Sequence, residues 1–203
     1  MMKETPIFEE VFARLLRTPG FWLKLLVGGL LSFIPVVNFL VFGYLLRLSQ
    51  GVKRTGRVSL PEWEDWSGLF LDGLRFAVVW LVYWLLPVLL ALAISSLVER
   101  VGLGALSYLL LSVVFLLAPI LFAAALYRYT RRLDFKDLLD FPLIIRMSAG
   151  AFSRLIIPAL VFVALFAVSG PLYGFAFFLA FILVVAQSAL CFRAIEQSRR
   201  EAL

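Results

Sequence analysis

Between Arg154 and Arg193 the chain runs for 38 residues without a charged side chain. One helical crossing of a bilayer takes about 20 apolar residues, so this run is too long for a single crossing and suits two, with Gly170-Pro171 near its midpoint as the turn. Three more uncharged runs, 25–46, 76–98 and 101–127, hold 22, 23 and 27 residues, each long enough to cross once. A water-soluble core cannot hide this much apolar surface. The chain is 63% hydrophobic and 16% charged with a mean hydropathy of +1.01, where soluble domains are about half apolar and about a quarter charged. The expected fold class is therefore all-α, a polytopic integral membrane helical bundle forming one multi-pass membrane domain over 1–203.

Segment by segment, 1–20 is expected to be an interfacial helix. It carries Ile7, Val11 and Leu15, with Phe8 and Phe12, on its apolar face and stops at Pro19-Gly20. No cleavable signal is expected there, because no short apolar stretch precedes a small-residue site. Segment 21–47 is a kinked or re-entrant element, interrupted by Ile34-Pro35 and Asn38. Either one kinked helix crosses, or two half-length helices meet at Pro35 and turn back. Then follow a cytoplasmic loop with an amphipathic helix (48–75), spans at 76–98 and 101–127, and a second such loop (128–154). Spans at 155–169 and 171–192 and a charged tail at 193–203 complete the chain.

In the first loop Ser59 and Pro61 have the chemistry of a helix start, and Glu62, Glu64 and Asp65 suit the positive end of its dipole. Trp63, Trp66, Phe70, Leu74 and Ala77, three and four apart, predict one apolar stripe, and Asp72 is placed to pair with Arg75. Such a stripe beside Arg54 and Arg57 suits the boundary between headgroups and hydrocarbon.

A weak repeat runs through the chain. An aromatic residue, a polar position, a carboxylate and an apolar residue recur as Phe8-Glu9-Glu10-Val11, Trp63-Glu64-Asp65-Trp66 and Phe135-Lys136-Asp137-Leu138. Each unit leaves its membrane sequence through a hydrophobic residue and an arginine: Leu46-Arg47, Tyr127-Arg128 and Phe192-Arg193. The repeat predicts three membrane hairpins, the first short or re-entrant, each preceded by an amphipathic interfacial helix. Basic residues mark the cytoplasmic side of a membrane protein. If 25–46 crosses once, the 19 basic residues divide fourteen against five; if it re-enters they divide eighteen against one, the cleaner arrangement. It places both termini and both large loops in the cytoplasm, on the inner face of the cytoplasmic membrane.

The words GYLLRLSQGVKRTG and LPEWEDWSGLFLDGLRF, spanning Gly43 to Tyr83 with the Gly43-Tyr44-Leu45-Leu46-Arg47 exit, Leu60-Pro61-Glu62-Trp63 and Asp72-Gly73, carry a resemblance. They resemble domain of unknown function 4013, a family of uncharacterised prokaryotic membrane proteins. The resemblance implies a multispanning prokaryotic membrane protein and supplies no activity, catalytic residue or cofactor.

The chain has no histidine and a single cysteine, Cys191, which excludes intrachain disulfides, the usual zinc ligand sets and histidine-based catalysis. No catalytic, cofactor or metal residues are expected. Glu62, Glu64, Asp65 and Asp72 lack calcium-loop spacing, and Asp134, Asp137 and Asp140 suit a capped surface helix. Candidate contacts to anionic lipid or to a soluble cytoplasmic partner are Trp63, Trp66, Arg54, Arg57, Arg128, Arg131 and Arg132. The candidate polar site at membrane depth is Pro35 with Asn38. Within the spans the polar residues are serines, Asn38 and Gln187, with no acid or base to couple an ion gradient. The expected role is a non-enzymatic, self-associating membrane scaffold or interaction subunit, a homo-oligomer without nucleic-acid partners. The alternative is a passive pore or permease subunit lined by those serines, Asn38 and Gln187.

Overall fold

The computed structural model describes residues 8–168 and 170–201, with side chains through 198. Lys3, Ile7 and Ser169 lie outside the described residues. The chain is an all-α polytopic bundle of α1 (Phe8–Leu16), α2 (Phe21–Leu31), α3 (Asn38–Thr55), α4 (Trp66–Trp80), α5 (Leu86–Arg100), α6 (Gly104–Tyr129), α7 (Phe141–Val168) and α8 (Tyr173–Glu201). A π turn, Leu81–Leu85, joins α4 to α5 without a break, and short 3-10 helices lie at Phe135–Leu139 and Gly170–Leu172. The π turn precedes Pro87, whose ring would clash with the carbonyl of Tyr83; widening the turn relieves that clash. Among the described residues four helical stretches are long and apolar enough to cross a membrane: Trp66–Arg100, Gly104–Tyr129, Phe141–Val168 and Gly170–Ser198.

Segment 21–47 is two helices, not one kinked helix. Residues 32–37 form a turn, closed by Ser32 Oγ on Gly28 O at 2.7 Å and by Asn38 N on Ile34 O at 2.8 Å, with Pro35 exposed on it. Helix α2 runs against the direction of α8: Gly28 faces Phe178, and Phe33 packs edge-on against Tyr173 at 4.7 Å. Helix α3 climbs back along α8, from Phe42 beside Phe177 at 6.0 Å to Lys53, whose carbonyl takes a 2.8 Å hydrogen bond from Arg193. The start of α2 is tied to the segment after α3, because Lys24 Nζ, buried, bonds Glu62 Oε1 at 2.5 Å and Leu60 O at 3.2 Å. At about 1.5 Å per residue the 11 residues of α2 span only about half the hydrocarbon thickness. Helices α2 and α3 therefore pack as a hairpin, with the start of α2 beside the segment that follows α3.

Helices α3 and α4 touch backbone to backbone. A Cβ on Gly43 would lie 1.9 Å from Leu69 O, and one on Gly73 would lie 1.7 Å from Phe39 O. Only glycine permits that approach. Beneath the crossing, Phe76, Phe122, Phe162 and Phe181 bring α4, α6, α7 and α8 together, with centroids 5.3 Å apart for Phe76–Phe122 and 5.0 Å for Phe162–Phe181. Helix α8 is the buried centre and α7 the periphery: 78% of the most apolar window of α8 lies inside the bundle, against 28% for α7.

Several sequence expectations shift here. Helix α4 begins at Trp66, so Ser59 and Pro61 do not start it; Asp65 caps it instead, at φ 55, with its side chain accepting from Gly68 N. The stripe is therefore divided: Trp63 precedes the helix, Leu74 is exposed and Ala77 is buried. Of the three segments expected to be helical, the first is α1, the second is irregular up to Asp65 and helical from Trp66, and the third is a 3-10 turn. Helix α7 begins at Phe141, so Arg146 and Arg154, expected in a loop, lie on a long helix. The 193–203 tail continues α8 as far as Glu201.

Candidate functional site

The repeat takes its structural meaning from its arginines. The arginine that ends one membrane unit grips the carboxylate that opens the next. Arg47, at the exit of the first unit, places Nη2 2.8 Å from Asp65 and Nε 3.0 Å from Asp72. Its third donor reaches Glu64 O at 3.2 Å, and Arg75 holds the other side of Asp72 at 3.1 Å. Burial opposes the Arg47 charge, but its hydrogen bonds to Asp72 and Asp65 outweigh that and raise its pKa above the ordinary value. The same bond from Arg47, helped by Gly68 N and Ser67, holds the Asp65 carboxyl below its ordinary value. Two cations meet two carboxylates here, so the clasp is saturated.

The second clasp repeats the plan with a different balance. Arg128, at the exit of the second unit, lies 2.8 Å from Asp137 on the 3-10 turn. That turn is fixed by Asp134, which accepts from Lys136 N at 2.9 Å, by Phe135 on Tyr129 at 5.1 Å, and by a hydrogen bond from the Tyr83 hydroxyl to the Leu138 carbonyl. Both partners are mostly buried, yet Arg128 Nε and Asp137 Oδ2 have no hydrogen-bond partner. Beside them a cleft of about 460 Å³ opens between the end of α6, the first half of α7 and the end of α8. Arg128, Arg131, Arg146 and Arg154 line it, with Glu196 as the one acidic lining residue among the described residues. Tyr127 donates to Glu196 at 3.1 Å, and Arg131 lies 3.7 Å from it. Lys53 sits 4.9 Å above the Tyr127 ring. Burial pushes the Lys53 amine down to about 8; Glu196 resists this, and Arg131 and Arg128 add to it.

The third exit arginine, Arg193, donates to the carbonyls of Lys53 and Val52 at 2.8 and 3.4 Å, placing a cation where the α3 dipole is negative. The ends of α3, α6 and α8 therefore converge with the first half of α7. Arg100, by contrast, lies at the α5–α6 turn.

The other residues picked from sequence are scattered. Trp63 stacks on Tyr44 at 4.2 Å with its Nε1 buried and unbonded, whereas Trp66 is 49% exposed. Arg54 and Arg57 are exposed, and Arg54 lines a second cavity of about 580 Å³ with Arg47, Asp72 and Arg132. A third cavity, about 420 Å³, lies beside Lys24, Glu62 and Trp63. Pro35 and Asn38 line none of the three, although Asn38 Oδ1 is buried without a partner. Of the span serines, Ser112 and Ser188 bond carbonyls of their own helices, and Ser95 bonds Ser107 O at 3.2 Å. Sequence reasoning missed Lys24, Tyr127, Arg146, Arg154 and Glu196 as site residues. One signal was available, since Arg146, Gly150 and Arg154 are four apart and so share a helical face.

A family model described as protein of unknown function (DUF4013) matches residues 27–192, on both sides of the Gly43 to Tyr83 stretch that carried the resemblance. No curated protein and no solved structure matches the chain.

Proposed function

We propose that this chain, which belongs to the DUF4013 family of proteins of unknown function, is a non-enzymatic scaffold or interaction subunit of the cytoplasmic membrane. It self-associates in the bilayer and turns a cationic end toward anionic headgroups and a soluble cytoplasmic partner. The observation that carries the reading is the convergence of all three exit arginines, with Arg54, Arg131, Arg132, Arg146 and Arg154, on one end of a four-span bundle. Basic residues gather on the cytoplasmic side and against anionic lipid. Self-association is supported by α7, whose exposed apolar side chains, Ile145, Ile157 and Leu160 among them, leave a broad flank for lipid or a second copy.

The test pairs two measurements on protein reconstituted in liposomes. Single cysteines on the α7 flank, in a Cys191→Ser background, are expected to crosslink between copies, and no solute is expected to accumulate along a proton or sodium gradient. Uptake that collapses with the gradient would contradict the scaffold reading in favour of a transporter. A gradient-independent leak of small solutes would favour a passive pore or permease subunit, and cysteines that never crosslink would contradict self-association.

A further inference from the structure

The cleft of about 460 Å³ beside the second clasp holds more positive charge than its own carboxylates balance. Arg128 is met by Asp137, and Arg131 approaches Glu196 at 3.7 Å, a long pair. Arg146 and Arg154 make no ion pair with any carboxylate among the described residues. They stand on one face of α7 and look into the same cleft as Arg128, whose buried Nε lacks a hydrogen-bond partner. Guanidinium groups offer forked donors that match the oxygens of a phosphate, and several of them around one concavity repel each other until an anion is shared among them. The remaining wall is apolar, with Met147, Phe192 and Ile195. The outer face of α7 next to it carries exposed Ile145 and Phe152, so the cleft adjoins surface suited to acyl chains.

We propose that this cleft is a specific binding site for a phosphate group, held by Arg128, Arg146 and Arg154 and approached along the α7 flank. The phosphate is supplied either by an anionic phospholipid headgroup or by a soluble phosphate compound. The proposal deepens the proposed function and rests on it only for which end of the bundle meets the headgroups.

The experiment follows thermal unfolding of the purified full chain in uncharged detergent while phosphatidylglycerol, phosphatidylcholine or inorganic pyrophosphate is titrated in. A ligand that binds only the folded state raises the midpoint. Phosphatidylglycerol is expected to raise it and phosphatidylcholine to leave it unchanged. In the double variant Arg146→Gln/Arg154→Gln the concentration giving half the shift should rise by about tenfold or more, the weight of one charge-assisted hydrogen bond. The double variant Arg54→Gln/Arg57→Gln, which removes the same charge outside the cleft, should raise that concentration by clearly less than Arg146→Gln/Arg154→Gln does. Because Arg146 and Arg154 are exposed, their replacement is expected to leave the midpoint without ligand close to parental. Arg146→Lys, which keeps the charge and loses the fork, provides a second variant with a partial loss. A shift from pyrophosphate alone, lost in the Arg146/Arg154 variant, would keep the site and make its occupant a soluble phosphate compound. No shift from any anion, or equal losses in both double variants, would overturn the site. Copies that still crosslink would then leave the proposed function standing.

Discussion

The two clasps use the same part in opposite ways. At the first, Arg47 and Arg75 face Asp65 and Asp72, and each charge has its counter-charge within 3.1 Å. At the second, Arg128 and Asp137 are more deeply buried, each keeps an unbonded polar atom, and three more arginines stand around a cleft with a single glutamate among the described residues. Desolvated charges are costly unless balanced. A saturated pair is therefore a structural rivet, which here fixes the α3–α4 crossing where Gly43 and Gly73 let the backbones meet. An under-compensated pair is a place where a further anion lowers the energy. The same repeated sequence unit thus yields a joint in one copy and a candidate binding site in the next.

The largest effect is expected at the second clasp. Asp137→Ala leaves Arg128 buried among other arginines and should cost about 3 kcal/mol of unfolding free energy, measured by denaturant titration in detergent. Phosphatidylglycerol should recover part of that loss. Asp72→Ala at the first clasp should not be recovered by lipid, and equal recovery at both would erase the distinction.

Arg47→Met comes next, at about 2 kcal/mol near neutral pH, because the pair it breaks is only partly buried. The Asp65 carboxyl is depressed by Arg47, so the stability it contributes is present above the ordinary carboxylate range and is lost as pH falls through its lower folded value. Parent and Arg47→Met should therefore converge on acidification. A gap that stays constant down to acid pH would mean that Arg47 acts by packing alone.

The smallest effect is expected at Lys53, next to the second clasp. Its amine is pushed down to about 8 from 10.5, chiefly by burial. Between those values the unfolded chain holds a proton that the folded chain has released, so parental stability should rise with pH across that window. Lys53→Met should be the more stable protein below about 8 and should lose that advantage by 10.5. A flat difference across the window would place the Lys53 amine in water.

Much of the fold was legible because it rests on hydrophobic run length: the uncharged runs and the break at Pro35 became the helices and the turn that the structure holds. The site was less legible. Motif Asp65 and exit Arg47 are 18 positions apart and Asp137 and Arg128 only nine, and the chain between each pair leaves its helix, so no shared spacing relates them and only the bundle brings them together. Local rules also pointed elsewhere. Ser59 and Pro61 have the chemistry of a helix start, but the Trp63–Tyr44 stack and the Lys24–Glu62 pair hold that segment irregular until Asp65 caps the helix. Arg146 and Arg154 fall in a loop if charge marks the end of a span, whereas α7 begins before both of them.

If the first hairpin turns back within the membrane, every unit begins and ends on one face and the clasps share it. Single cysteines at Arg17, Arg54, Lys136 and Gly102, in a Cys191→Ser background, test it with a membrane-impermeant thiol reagent on intact cells. Position 102 alone should label before permeabilisation, and 17, 54 and 136 only after it. Labelling at 17 in intact cells would mean that the first segment crosses, and labelling at 54 or 136 would put the clasps on the outer face.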